Sequence, residues 1–181
     1  MVCSKLSLSR SIRVRERRPW VVVATVAVFL STAYWPARGQ EIAALSEADF
    51  VIHGVEQGSD TLAVRDLLGQ PDSTSAVTLE LWPAPHKLVR WIYPAMVLEV
   101  TEMGLVNAVI LTDVGVETRR GLRVGESGAH VRRLYGSPTV EAMGLWLYED
   151  PADAFRVIAV RFDDSRVIEI RLGNVSILIG E

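Results

Sequence analysis

The sequence predicts an α+β protein made of two tandem repeats, each a short helix (or helix pair) packed on a small antiparallel sheet of three to four strands. Three observations carry that prediction. An 18-residue stretch recurs at a constant offset of 67 residues, each copy sets apolar residues at helical spacing behind a capping residue, and period-two alternation dominates the segments that follow. With 181 residues, 49% of them hydrophobic and 23% charged, the chain is too apolar for disorder and long enough to bury a core without disulfide staples. The expected organisation is 1–39 targeting segment, 40–53 leader, 54–117 first repeat and 118–181 second repeat.

The targeting segment has a recognisable order. Lys5, Arg10, Arg13, Arg15, Arg17, Arg18 and Arg38 give it seven of the 19 basic residues, and Glu16 gives it one of the 22 acidic ones. An Arg-rich stretch, Arg10–Arg18, precedes an uncharged apolar run, Trp20–Trp35, which is followed by Pro36 and the small-residue sequence Ala37-Arg38-Gly39. The run is 16 residues long, against the roughly 20 that span a bilayer, so an export signal cleaved before Gln40 is the expected reading. Trp20 and Trp35 bracket the run as interfacial aromatics do, which leaves an uncleaved membrane anchor as the alternative. The remainder holds 12 basic and 21 acidic residues, a balance that argues against nucleic-acid binding. The expected location is exported, periplasmic or secreted, with membrane contact only through residues 20–35 if they are retained. The single cysteine, Cys3, precedes the apolar run, so a cleaved chain has no thiol for a disulfide, a Cys-ligated metal or a nucleophile.

The repeat lays residues 54–71 on residues 121–138 without a gap, with seven of 18 positions identical: Gly54/Gly121, Gly58/Gly125, Val64/Val131, Arg65/Arg132, Leu67/Leu134, Gly69/Gly136 and Pro71/Pro138. In each copy a capping pair (Ser59-Asp60, Glu126-Ser127) opens a short amphipathic helix, and a Gly followed by Pro two residues later ends it. Strands are predicted at Leu88–Tyr93, Val97–Thr101 and Val106–Thr112, and again at Leu145–Tyr148, Phe155–Phe162 and Val167–Leu172. Met103-Gly104 and Asp163-Asp164-Ser165 supply the turns of two hairpins. Val77–Trp82 reads as a further edge strand, closed by the stiff Pro83-Ala84-Pro85.

The pattern G[VL]xxG-x5-VRxL[LY]GxP, followed by Trp91-Ile92-Tyr93 or Trp146-Leu147-Tyr148 and two alternating strands, resembles the SmpA/OmlA (BamE-like) domain over about residues 48–175. Tandem copies resemble the β-lactamase-inhibitor architecture. The resemblance implies helices on one face of a small antiparallel sheet and a non-catalytic role in the cell envelope through protein–protein contact. The chain departs from that family in having no lipobox cysteine after its apolar run.

Candidate chemistry is sparse, and no cofactor or metal is expected. His53, His86 and His130 lack metal-ligand spacing, the Gly pairs before the helices lack the residues of a phosphate loop, and Asp163-Asp164 falls at a predicted hairpin tip. Ser127 lacks a nucleophile elbow, and Asn174-Val175-Ser176 is a sequon of chance frequency. Two groups are candidate partner-binding residues. Arg119, Arg120, Arg123, Arg132 and Arg133 concentrate positive charge that suits an acidic partner or an anionic lipid headgroup, with a solvated helix face as the alternative. Trp91/Tyr93 and Trp146/Tyr148 form matched pairs, each on one face of a strand, which are core if that face meets the helices and binding anchors if it is open. The expected function is therefore an exported, non-catalytic protein-binding or assembly module with an envelope protein as partner. A membrane-anchored ligand-sensing domain and a small hydrolase with a scattered site are the alternatives.

Gly136 is expected to end the second helix with positive φ, so Gly136→Val should lower stability by about 1–2 kcal/mol. Thermal melting checks this, and an unchanged midpoint refutes the turn assignment.

Overall fold

The computed structural model describes residues 42–79, 85–142 and 144–174, all within the unit Gly39–Glu181. The leader begins with a 3-10 turn, Glu47–Phe50, fastened where the Ser46 N–H and hydroxyl both donate to Asp49 Oδ2 at 2.9 and 3.0 Å. Helix α1 (Thr61–Leu68) starts at Asp60, whose Oδ1 accepts from the Leu62 N–H at 2.7 Å. Helix α2 (Gly128–Tyr135) starts at Ser127, whose side chain accepts from the His130 N–H. Both helices stop at a glycine with φ +81°, Gly69 and Gly136, whose N–H groups donate back to the Arg65 and Arg132 carbonyls. Neither helix is long enough to be stable alone, so each depends on the apolar residues it buries, Val64 in α1 and Val131 and Tyr135 in α2. Among the described residues no helix is long and apolar enough to cross a membrane.

Among the described residues, eight strands follow the turn chemistry of the sequence: β1 (Ser73–Leu79), β2 (His86–Ile92), β3 (Met96–Thr101), β4 (Val106–Leu111), β5 (Val140–Ala142), β6 (Leu145–Asp150), β7 (Asp153–Asp163) and β8 (Arg166–Asn174). Gly104, at φ +76°, turns β3 into β4, and Asp164 and Ser165, at φ +43° and +69°, turn β7 into β8. All neighbours are antiparallel, in the spatial order β1-β2-β3-β4-β8-β7-β6-β5. One face carries Trp91, Leu98, Val109, Ile158, Ile170 and Leu172 against Phe50, Ile52 and the two helices, and this is the hydrophobic core. A fully buried Leu or Ile there stabilises the fold by about 1.5–3 kcal/mol.

The division into two helix-on-sheet repeats is overturned, and with it the likeness to tandem BamE-like domains and to the β-lactamase-inhibitor architecture. A single eight-stranded sheet runs through both stretches, joined where β4 pairs with β8 at Ala108↔Gly173, Val109↔Leu172, Ile110↔Arg171 and Leu111↔Ile170. The physical reason is that β4 and β8 each end a run of hairpins, and left as edges they would expose unpaired backbone groups beside strongly apolar side chains. Pairing satisfies both edges at once. Gly173 makes the approach fit: a Cβ there would lie 2.5 Å from the Asn107 carbonyl oxygen and 2.8 Å from Ala108 Cα. The edge strand expected at Val77–Trp82 is found at Ser73–Leu79, and residues 80–84 lie outside the described residues, as does the targeting segment. Strand β5 is only three residues long and leaves no alternation to detect.

Gly173→Ala should open this join and lower stability by about 1–3 kcal/mol through overpacking. Urea unfolding followed by tryptophan fluorescence checks it, and an unmoved midpoint would show that the strands do not approach as closely as described.

Candidate functional site

The four candidate aromatic residues all lie on the helix-covered face. Trp91, Tyr93 and Tyr148 are 6, 8 and 3% exposed, and Trp146 is half-buried against Phe162 with ring centroids 4.6 Å apart. Tyr93 OH donates to the Gly69 carbonyl and Tyr148 OH to the Gly136 carbonyl, so each phenol ties a strand to the end of a helix. Arg65 and Arg132 stack over Trp91 and Trp146 at 4.5 and 4.4 Å from the ring centres, covering them from above. Tyr148 and Tyr135 are pushed up to about 12, chiefly by burial. Trp91, Tyr93 and Tyr148 are packing groups for the helices, and Trp146 is partly covered by Arg132 and Phe162.

Of the five candidate arginines, Arg119 and Arg120 line one cleft and the other three turn to separate partners. Arg123 pairs with Glu117, Arg132 with Glu141, and Arg133 contacts His130 Nδ1, while the His130 Nε2 meets Glu126 at 2.9 Å. Arg119 is exposed and lines a shallow cleft with Ala43, Ala44, Ser46, Asp49 and Arg120. Arg120 holds the leader. Its guanidinium donates to both oxygens of buried Asp49 at 2.9 Å and to the carbonyls of Ala43, Ala44 and Leu134, and it stacks over Tyr135. Burial raises the Asp49 carboxyl, but the bonds from Arg120 and from the Ser46 N–H and hydroxyl, together with the Arg120 charge, outweigh it and hold it below the ordinary carboxylate value.

The chemistry that sequence reading missed is on the opposite face of the sheet. Antiparallel partners share a face, so the register sets Arg90 beside Glu99, Val97 beside Ile110, Ile110 beside Arg171, and Glu169 beside Arg161. Glu99 is fully buried and accepts from Arg90 Nε and Nη2 at 3.2 and 3.0 Å and from Arg171 Nη2. Arg171 is 2% exposed, and its Nε–H has no hydrogen-bond partner. Ala108, Ala159 and Gly173 keep the middle of this face low. A pocket of about 240 Å³ opens there, with Val97 and Ile110 as its apolar part and Arg90, Arg161, Arg171, Glu169 and Thr112 as its polar part. The signal in the sequence was the placing of Glu99, Arg161, Glu169 and Arg171 inside apolar strands at positions of one parity. Among the described residues no group of three or more His, Cys, Asp or Glu is arranged to hold a metal ion.

No family model matches the chain, and no curated protein matches it. Among solved structures it is similar to an extracellular protein containing an SCP domain from Bacillus anthracis str. Ames, with a TM-score of 0.48 and 11% identity over 78% of this chain and 51% of that one. That degree of likeness carries no statement about function. The single continuous sheet removes the BamE-like assignment.

Arg120→Ala should cost about 3 kcal/mol, because it leaves the Asp49 carboxylate buried without its cation. Asp49 contributes stability above its unfolded pKa, and that contribution is lost as pH falls through its lower folded value. Wild type should therefore lose more stability than Arg120→Ala on acidification, measured by urea midpoints from pH 7 to 3; parallel curves would refute the coupling.

Proposed function

We propose that the chain is an exported, non-catalytic module that binds a protein partner of the cell envelope through the face of its sheet away from the helices. The observation that carries the reading is the contrast between the two faces. One is closed by α1, α2 and the leader, and the other sets a pocket with buried charge among apolar side chains such as Ile92, Leu145 and Leu147. Charge fixed in position beside apolar surface is what protein recognition uses, the apolar area for affinity and the charge for register. The Arg10–Arg18 stretch, the Trp20–Trp35 run and the small residues ahead of Gln40 support export. The groups that sequence motifs offer for catalysis have structural uses here: Ser127 caps α2, Asp163 ends β7 in a pair with Arg166, and Asp164 lies in the β7–β8 turn.

A photo-crosslinking residue at Leu147 or Val140, which share a row on this face, should capture one stoichiometric envelope protein in cells. The same residue at Leu62, exposed on α1, should not. Capture from Leu62 alone would move the surface to the helical side, and capture from none of the three would refute a protein partner. Mass spectrometry of the recovered chain reads its first residue, expected to be Gln40.

A further inference from the structure

We infer that the pocket on the helix-free face is a carboxylate socket, which takes an Asp or Glu side chain of the protein partner. The inference rests on the reading of this face as the binding surface and adds the chemistry of its centre. Arg171 is nearly wholly buried, lines the pocket, and holds its Nε–H without an acceptor while its Nη2 is committed to Glu99. A buried guanidinium N–H without a partner is destabilising, and a carboxylate oxygen is the strongest acceptor a protein can offer it. Glu99 itself is engaged by two guanidinium groups, Arg90 and Arg171, so it is a fixed counter-charge within the face and not a free base.

Size and charge narrow the occupant. A pocket of about 240 Å³ is smaller than the roughly 300–1,000 Å³ of small-molecule sites and suits a single side chain. Val97 and Ile110 offer apolar contact to the methylenes of Asp or Glu, and Thr112 offers a hydroxyl at the rim. Arg90, Arg161 and Arg171 stand against Glu99 and Glu169, which leaves one net positive charge that a single carboxylate neutralises and a doubly charged phosphate exceeds.

The test titrates the full-length chain with N-acetylglutamate N-methylamide, and separately with its glutamine counterpart, at constant ionic strength. NMR follows the Arg171 Nε–H and the Val97 and Ile110 amides. The glutamate probe should move all three signals saturably, and the glutamine probe should bind at least tenfold more weakly. Val97→Phe fills the apolar part of the pocket, and Thr112→Glu places a carboxylate at its exposed rim; each should abolish the response. Thr112→Glu carries the test if Val97→Phe fails to fold, because Thr112 is exposed. No response to the glutamate probe, equal responses to both probes, or a response that survives Thr112→Glu would overturn the socket. Crosslinking from Leu147 separates the two readings. Partner capture undiminished by Thr112→Glu overturns the socket and leaves the binding face, whereas a normal titration without any captured protein overturns the partner as the source of the carboxylate.

Discussion

Four backbone pairs between β4 and β8 hold the sheet together, and the rest of the molecule is arranged around that join. The core on one side crosses it through Val109, Leu111, Ile170 and Leu172, so the apolar surface of both hairpin arrays is buried as one layer. On the other side Glu99 in β3 reaches past β4 to Arg171 in β8, while Arg90 in β2 holds its second oxygen. Glu99 sits beside Ala108 and Arg171 beside Ile110, so the two ions meet on the diagonal across β4, where Ala108 offers only a methyl group. A larger residue there would lift the ion cluster off the sheet.

Such a cluster is an odd way to gain stability. Taking Glu99 and Arg171 out of water costs several kcal/mol per ion before their attraction returns it, and an apolar trio of similar volume would often be as stable. What the ions supply is geometry. A guanidinium–carboxylate–guanidinium row fixes three strands in one register, and a one-residue slip would carry every charge to the apolar face. The same logic operates where the leader meets α2. Arg120 has no strand to sit on, yet its bonds to Asp49 and to three backbone carbonyls bind the leader to the end of α2. In both places arginine supplies a planar set of donors that lysine lacks.

Local structure was legible wherever local chemistry decides it. Asp60, Ser127, Gly69 and Gly136 mark the helix ends, and Gly104 and Asp163–Ser165 mark the hairpins, because capping and positive φ act over a few residues. The join was not legible. Periodicity says that β4 and β8 are strands but not that they are neighbours, and the single local hint was Gly173 inside an apolar strand, where close backbone approach is the usual cause. The same gap hid the pocket, since Glu99 and Arg171 are 72 residues apart and meet only once the strand order is known. Conversely, Arg119–Arg133 looked like a patch because it is dense in sequence, but a turn and the exposed side of a helix send those side chains to different partners.

The two lateral borders of the sheet are unequal. β5 is three residues long, whereas β1 runs for seven residues, Ser73–Leu79, without a charge or a proline along it. Natural sheets protect a border by keeping it short, charged or interrupted, and here only the β5 side is protected. Among the described residues, the border that offers an added strand the longer row of backbone groups is therefore β1. When that strand belongs to another copy, the contact is the same edge facing itself about a two-fold axis. Joined in that way, two chains would share one continuous sheet with the short β5 as the border at each end.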